Sequence, residues 1–206
     1  MSLPVYYVDA FTNDLFSGNP AAVIFSDLND SDLMQKIAAE NNLSETAFIR
    51  KEDNTYFIRW FAPSCEIDLC GHATIASAFV YFNFIDKDAT SFCVDSIEHG
   101  RLEVKRENDT YILNFPADSL ITFNNLKQIE AAIGINPTEV YEGRDDLLVI
   151  LESEELVKNL SPDFSLIKHI NKRGLIVSSQ SKEYDFASIC LRLLKVIKLS
   201  AGKFNI

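Results

Sequence analysis

A cysteine, a glycine and a histidine stand together in residues 66–74, E-I-D-L-C-G-H-A-T, which follow a predicted strand and open an apolar helix. The first turn of a helix leaves backbone N–H groups unpaired and carries the positive end of the helix dipole. A substrate carboxylate can therefore bind there without a metal or a cofactor. The same positive end favours the neutral form of His72. The segment therefore indicates proton-transfer chemistry on a small anion.

A second candidate, Glu45, lies within N-L-S-E-T-A-F, residues 42–48, between a predicted amphipathic helix and a predicted strand. A carboxylate that enters a strand loses part of its hydration, which suits it to general acid–base catalysis. A glutamate at such a junction is more often a solvated surface group, so the residue type alone leaves both interpretations open.

The other candidates also have purely structural interpretations. His72 can cap its helix through the local backbone, and Cys70 can serve as a small buried apolar residue. Asp68 can form an Asx turn ahead of the helix. Each of these alternatives stays open at the level of the sequence.

A long uncharged segment, residues 72–84, follows the glycine. Apolar residues occupy every face of the helix that it predicts, and a helix of this kind is usually buried all round. The segment is too short for the roughly 20 residues that a membrane span needs. We therefore expect a central helix wrapped by strands, with a polar N-terminus that opens into a cleft.

The composition restricts the partners. Nineteen lysines and arginines oppose thirty aspartates and glutamates, which gives a net charge of −11 over 206 residues. This charge argues against nucleic acid or an anionic membrane surface as a partner, so we expect a small anionic metabolite and, as a further possibility, a homodimer.

The cysteines at 65, 70, 93 and 190 form no C-x-x-C pair, and no metal site or cofactor is expected. The first residues do not resemble a signal peptide, so a reducing cytoplasmic location is expected.

Periodicity and turn residues predict the elements that position these candidates. The first half is predicted to contain strands at 5–9, 21–25, 46–50, 56–61, 92–95, 102–106 and 111–115, and helices at 31–42 and 72–84. The first helix should begin at Asp30 or Ser31 and bury Leu33, Ile37 and Met34. Residues 116–125 are predicted to be a linker. The second half is predicted to contain helices at 126–133, 154–159 and 164–171, and strands at 139–142, 146–151, 175–179 and 185–189.

Several motifs occur in order along the chain: V-D-A-F-T…L-F-S-G-N-P-A-A-V (8–23), N-L-S-E-T-A-F (42–48), W-F-A-P (60–63), E-I-D-L-C-G-H-A-T (66–74) and R-D-D-L-L-V-I-L (144–151). Together they resemble the PhzF-like phenazine-biosynthesis family, and the resemblance covers roughly residues 4–188. It implies an α+β, two-lobed diaminopimelate-epimerase-like fold. Each lobe is then a curled, mostly antiparallel sheet around a central helix, with lobes at 1–116 and 117–206.

The resemblance also implies cofactor-independent isomerisation by proton movement, which in the best-known member acts on a dihydro-hydroxyanthranilate. Glu45 corresponds to the proton shuttle, and His72 is assigned with it to catalysis. Substrate contacts are assigned to Asp68, Cys70, Gly71 and Ala73. Cys70 occupies the place of one of two catalytic cysteines in related epimerases, so a cysteine-dependent epimerase or racemase is an alternative.

The chain departs from the family pattern near its end. The family's second lobe is expected to continue past residue 188 with another F-A-P, a D-P-x-x-G-S-[AG] motif and a second central helix. This chain instead has D-F-A-S-I-C and then L-R-L-L-K at 185–195. A one-base deletion in codons for Phe-Ala-Pro-Pro-Lys yields Leu-Arg-Leu-Leu-Lys. We therefore expect a second lobe that is incomplete, truncated or frameshifted after about residue 190. An inactive remnant that binds a small ligand or a partner is the resulting alternative.

Overall fold

The computed structural model describes residues 2–14, 16–108, 110–115, 117–192 and 196–197. The chain divides into two compact units, Met1–Pro116 and Ala117–Ile206. Among the described residues, no helix is both long and apolar enough to cross a membrane.

The first unit contains one curled, mixed sheet. Its strands are β1 (Tyr6–Ala10), β2 (Asn19–Phe25), β3 (Glu45–Glu52), β4 (Thr55–Phe61), β5 (Glu66–Ile67), β6 (Ser91–Ser96), β7 (Gly100–Glu107) and β8 (Thr110–Asn114). The order along the sheet is β1-β2-β3-β4-β6-β7-β8, and β5 pairs with β4 outside this path. The β2–β3 and β4–β6 pairs are parallel, whereas the other pairs are antiparallel.

One helix lies inside the curl of this sheet. Helix α2 (Gly71–Val80) contacts β1, β2 and β3 near one end of the strand order and β7 and β8 at the other end. A sheet can reach one helix from both of its ends only if it bends around that helix. The expected central helix is therefore present, with the difference that it begins at Gly71 and that its last turn, Tyr81–Ile85, is a π-helical turn.

The small and uncharged side chains of α2 explain why this helix can lie inside the sheet. Ala73, Ala76 and Ala78 are fully buried, and small side chains allow the strands to approach the helix closely. The hydroxyl groups of Thr74 and Ser77 donate to the backbone carbonyls of Cys70 and Ala73, each over 2.6 Å, so they need no further partner in the core. Burial on every face is not observed, because Phe79 and Phe84 are 38% and 57% exposed.

The first helix lies on the opposite face of the same sheet. Helix α1 (Ser31–Asn41) begins after Asp30, whose carboxylate accepts from the N–H groups of Asp32 and Leu33. Met34 and Ala38 are buried against a cluster that includes Phe48 and Phe61. The prediction that Leu33 belongs to the buried face is wrong. Leu33 is 39% exposed, because the buried face is centred on Met34 and Ala38.

The second unit contains a second sheet and three short helices among its described residues. Its strands are β9 (Ile121–Thr122), β10 (Glu139–Glu142), β11 (Asp146–Ile150), β12 (Gly174–Gln180), β13 (Phe186–Arg192) and β14 (Val196–Ile197), in the order β14-β13-β12-β11-β10-β9. The helices are α3 (Leu126–Ile133), α4 (Glu154–Lys158) and α5 (Phe164–Ile167). Only β11 and β12 pair in parallel within this part of the structure.

Two details of the second unit differ from the sequence prediction. Residues 116–125 are not a plain linker, because β9 lies within them and pairs with β10. The last predicted strand continues to Arg192, and Leu191 is buried in the core with Leu175 and Val177. The end of the L-R-L-L-K segment, residues 193–195, lies outside the described residues.

Candidate active site

Glu45 is the first residue of β3 and is almost completely buried, with 3% of its surface exposed. Strand side chains alternate between the two faces of a sheet. Ala47 and Ile49, two and four residues further along, lie in the core that surrounds α2, so Glu45 points to the same face. The interpretation of Glu45 as a solvated surface group is therefore wrong.

The segment before α2 is held in place by an ion pair. The Arg59 guanidinium on β4 donates to both oxygens of Glu66, over 2.6 and 2.7 Å, and to the Ser31 hydroxyl over 2.9 Å. The hydrogen bonds to Glu66 raise the pKa of Arg59 despite its partial burial. Glu66 therefore anchors β5, and with it the start of α2, to β4 and to the N-terminus of α1.

Cys70 and His72 lie at the N-terminus of α2. Cys70 precedes the helix with an extended backbone, and its side chain makes no capping hydrogen bond to the helix. The N–H of Thr74 is the first to bond within the helix, over 3.2 Å to the Cys70 carbonyl. The N–H groups of Gly71, His72 and Ala73 therefore precede the helical ladder and are positioned to bind an anion.

The three buried side chains form a connected group. His72 Nε2 lies 3.3 Å from Glu45 Oε2, and His72 Nδ1 lies 3.4 Å from Cys70 Sγ. His72 and Cys70 are 5% and 7% exposed, so the whole group is shielded from bulk water. The imidazole thus joins a thiol on one side to a carboxyl group on the other, which is an arrangement suited to holding and transferring protons.

The same group offers a thiol, an imidazole and a carboxyl group, whose potential ligand atoms lie within 4.8 Å of one another. Donors of these types bind zinc and related metals. An ion would take one ring nitrogen of His72 and displace the contact that this nitrogen now makes. The same three side chains can therefore transfer protons or hold a metal ion, and the expectation of no metal stays a prediction.

The remaining predicted contacts are placed as follows. Gly71 has little space above its Cα, because an added Cβ would lie 3.1 Å from Phe115 Cε2. Ala73 is fully buried, and its part in substrate binding stays a prediction. Asp68 is exposed in the loop between β5 and α2, and its part in substrate binding stays a prediction.

Sequence reasoning missed two buried donors on the same face of the sheet. Asn19 and Trp60 are 6% and 1% exposed, and neither Asn19 Nδ2 nor Trp60 Nε1 has a hydrogen-bond partner in the described part of the chain. The available signal was the G-N-P sequence at 18–20, since a glycine and a proline fix the backbone on both sides of Asn19.

Residues 8–194 match the family described as phenazine biosynthesis-like protein, PhzC-PhzF. The chain belongs to this family. An uncharacterised isomerase of Pseudomonas aeruginosa is 43% identical over 189 residues, which cover 91% of this chain and 72% of that protein. A phenazine biosynthesis-like domain-containing protein of Mus musculus is 37% identical, with 92% and 75% covered. The expected family membership is thus confirmed.

The fold agrees with this assignment. The crystal structure of a PhzF-family protein from Enterococcus faecalis superposes with a TM-score of 0.88 at 41% identity, covering 97% of this chain and 78% of that one. The expected α+β, PhzF-like fold is therefore confirmed.

Proposed function

We propose that this protein is a cofactor-independent isomerase that moves a proton on a small, carboxylate-bearing substrate, with Glu45 as general acid and base. The observation that carries the proposal is the buried contact between Glu45 and His72 beside the N-terminus of α2. A buried, titratable pair is costly to maintain and is typical of catalytic sites.

The residues of the proposed site have different roles in the reaction. The substrate carboxylate binds the N–H groups of Gly71, His72 and Ala73, where the helix dipole favours negative charge. Glu45 removes a proton from a carbon of the bound substrate and returns it to a different carbon, so the product is an isomer. His72 orients the Glu45 carboxyl group through the contact between Nε2 and Oε2.

A second candidate function has its own supporting observation. Cys70 Sγ lies 3.4 Å from His72 Nδ1, so the imidazole could activate the thiol for a cysteine-dependent epimerase or racemase. We expect Cys70→Ser to retain activity within a few-fold, because Glu45 rather than the thiol carries the proton. Loss of turnover in a folded Cys70→Ser protein would favour the epimerase instead.

The proposal extends to the partners. The ligand is a small anionic metabolite, no cofactor takes part, and the protein acts in the cytoplasm, with a homodimer as the proposed assembly. The net charge of −11 supports a partner other than nucleic acid or an anionic membrane. A non-catalytic module that only binds a small ligand or a partner is the alternative.

The test is proton exchange with solvent. The protein is incubated in D₂O with a panel of small carboxylates that includes a dihydro-hydroxyanthranilate, and mass spectrometry follows deuterium incorporation and isomer formation. We expect at least one compound to react at a rate that requires the folded protein. Calorimetric binding of a panel member without exchange or isomerisation would contradict the enzyme and favour the binding module.

A further inference from the structure

Asn19 is held in one conformation by its neighbours. Gly18 has a φ of +100°, and a Cβ there would lie 2.4 Å from the Ala10 carbonyl oxygen, so only glycine fits. Pro20 restricts Asn19 to an extended backbone. Asn19 therefore begins β2 in a fixed orientation, opposite Ala10 on β1.

The Asn19 side chain points to the same face of the sheet as Glu45. Ala21 and Val23, two and four residues further along β2, lie in the core around α2, and strand alternation assigns Asn19 to that face. β2 and β3 are parallel, and Ala21 is the register partner of Glu45. With ordinary strand spacings, the Cα atoms of Asn19 and Glu45 are about 8 Å apart, so the two side chains lie close together on this face.

The amide of Asn19 lacks a partner that its burial would normally require. Asn19 is 6% exposed, yet Nδ2 makes no hydrogen bond within the described residues. Buried donors without partners are rare in native proteins, because the lost hydration is not replaced, and each therefore needs an explanation. An acceptor supplied by a bound substrate would complete the hydrogen bonding of this amide.

We propose that Asn19 Nδ2 donates a hydrogen bond to an oxygen of the substrate adjacent to the carbon whose proton Glu45 transfers. This inference rests on the proposed isomerase function and deepens it. It implies a substrate with two anchored polar groups: a carboxylate at the N-terminus of α2 and a carbonyl, carboxylate or enolate oxygen at Asn19. The hydrogen bond orients the reacting carbon toward Glu45.

Steady-state kinetics distinguish a substrate oxygen that is already a good acceptor in the ground state from one that gains charge only in the transition state. An oxygen that is already a good acceptor in the ground state makes Asn19 a binding residue, and its loss raises KM. An oxygen that gains charge as the proton leaves makes Asn19 a stabiliser of the transition state, and its loss lowers kcat. Either result supports the hydrogen bond and identifies the acceptor.

The experiment compares Asn19→Leu with Asn19→Ala. Leucine keeps the approximate shape of asparagine and removes the amide, whereas alanine also leaves a cavity. Asn54→Leu, at the exposed turn between β3 and β4, is the control for the same change far from β2. We measure the melting temperature without ligand, the exchange rate with the responding carboxylate, and calorimetric binding of hydroxyanthranilate, an aromatic analogue that cannot isomerise.

We expect Asn19→Leu to melt at or above the wild-type temperature, because an unpaired buried amide is replaced by an apolar group. Asn19→Leu and Asn19→Ala should each lose about 10- to 100-fold in kcat/KM, since both lack the hydrogen bond. A lower melting temperature for Asn19→Leu, or wild-type kinetics in a folded Asn19→Leu, would overturn this inference alone. A wild-type protein that neither exchanges protons nor binds the analogue would overturn the isomerase proposal and this inference together.

Discussion

The first unit buries a carboxyl group and an imidazole beside its central helix, whereas the buried polar residues described in the second unit are two serines. The buried polar residues of the first unit are Asn19, Glu45, Thr46, His72, Thr74, Ser77 and Ser96, and those of the second are Ser178 and Ser179. Burying ionisable groups lowers stability unless they are paired. This difference is expected if the first unit accepts the cost for the proposed chemistry, whereas the described part of the second unit serves packing.

The helices differ in the same way. Helix α2 has no charged residue and lies within its sheet, but α3 is amphipathic and turns Ile129, Ala132 and Ile133 toward the core. The second unit also has ion pairs at the surface, such as Lys158 with Glu154 and Arg144 with Asp145. Pairs of this kind contribute little to stability. A charge should therefore be tolerated on α3 and not on α2.

The largest expected effect comes from a charge placed inside the curl. Ala76 is completely buried on α2, so Ala76→Glu should destabilise the protein by more than about 4 kcal/mol through overpacking and an unpaired buried charge. Ala131→Glu is the matched control on the exposed face of α3 and should change stability by less than about 0.5 kcal/mol. Urea unfolding followed by circular dichroism measures both. Similar losses in the two variants would contradict the comparison.

A smaller effect is expected from substitutions of His72 that keep one of its two contacts and remove the other. His72→Gln can place an amide near the Nε2 position, and His72→Asn near the Nδ1 position. Because Nε2 faces Glu45 and Nδ1 faces Cys70, we expect His72→Asn to lower kcat by about 100-fold and His72→Gln by about 10-fold. His169→Gln, at an exposed residue of the second unit, controls for the substitution. The reverse order would transfer the main role from Glu45 to the thiol.

The smallest expected effect is a change in melting temperature when the surface pair of Glu154 and Lys158 in the second unit is removed. Hydrogen bonds from Lys158 and Ser181 lower the pKa of Glu154. The charged form is thus favoured in the folded state, so its contribution to stability is present above the ordinary carboxylate pKa and disappears as the pH falls through the lowered value. Glu154→Gln should reduce the melting temperature by about 1–2 °C at pH 7 and leave it unchanged in strong acid. A shift that persists in strong acid would show that the effect is not electrostatic.

Local sequence patterns were sufficient to predict most of the helices and strands. Helix α3 and strand β10 have the predicted bounds, because Gly134 ends the helix and the strand is short and regular. The buried face of α1 was misplaced by about one residue, since Leu33 and Met34 are equally apolar and only the packing against Phe48 decides between them. Strand β9 was missed because a two-residue pairing has no periodicity to detect.

The candidate site was only partly predictable. The sequence places His72 and Cys70 together because they are neighbours on one helix end. Their contact with Glu45 depends on the parallel pairing of β2 with β3 and on the curl of the sheet, which are tertiary features. Asn19 was not predicted as a site residue, because its burial follows from its position in β2 and not from its residue type.

The most direct measurement compares one carboxylate from each unit. Glu45 and Glu139 are the first residues of β3 and β10, but Glu45 is buried and Glu139 is exposed. We expect Glu45→Gln to lower kcat by about 10²–10⁴-fold with the fold intact, because it keeps the shape of the side chain and removes the proton carrier. Glu139→Gln should stay within a few-fold of wild type. If Glu45→Gln retains comparable activity in the same exchange assay, the buried group of the first unit does not carry the reaction.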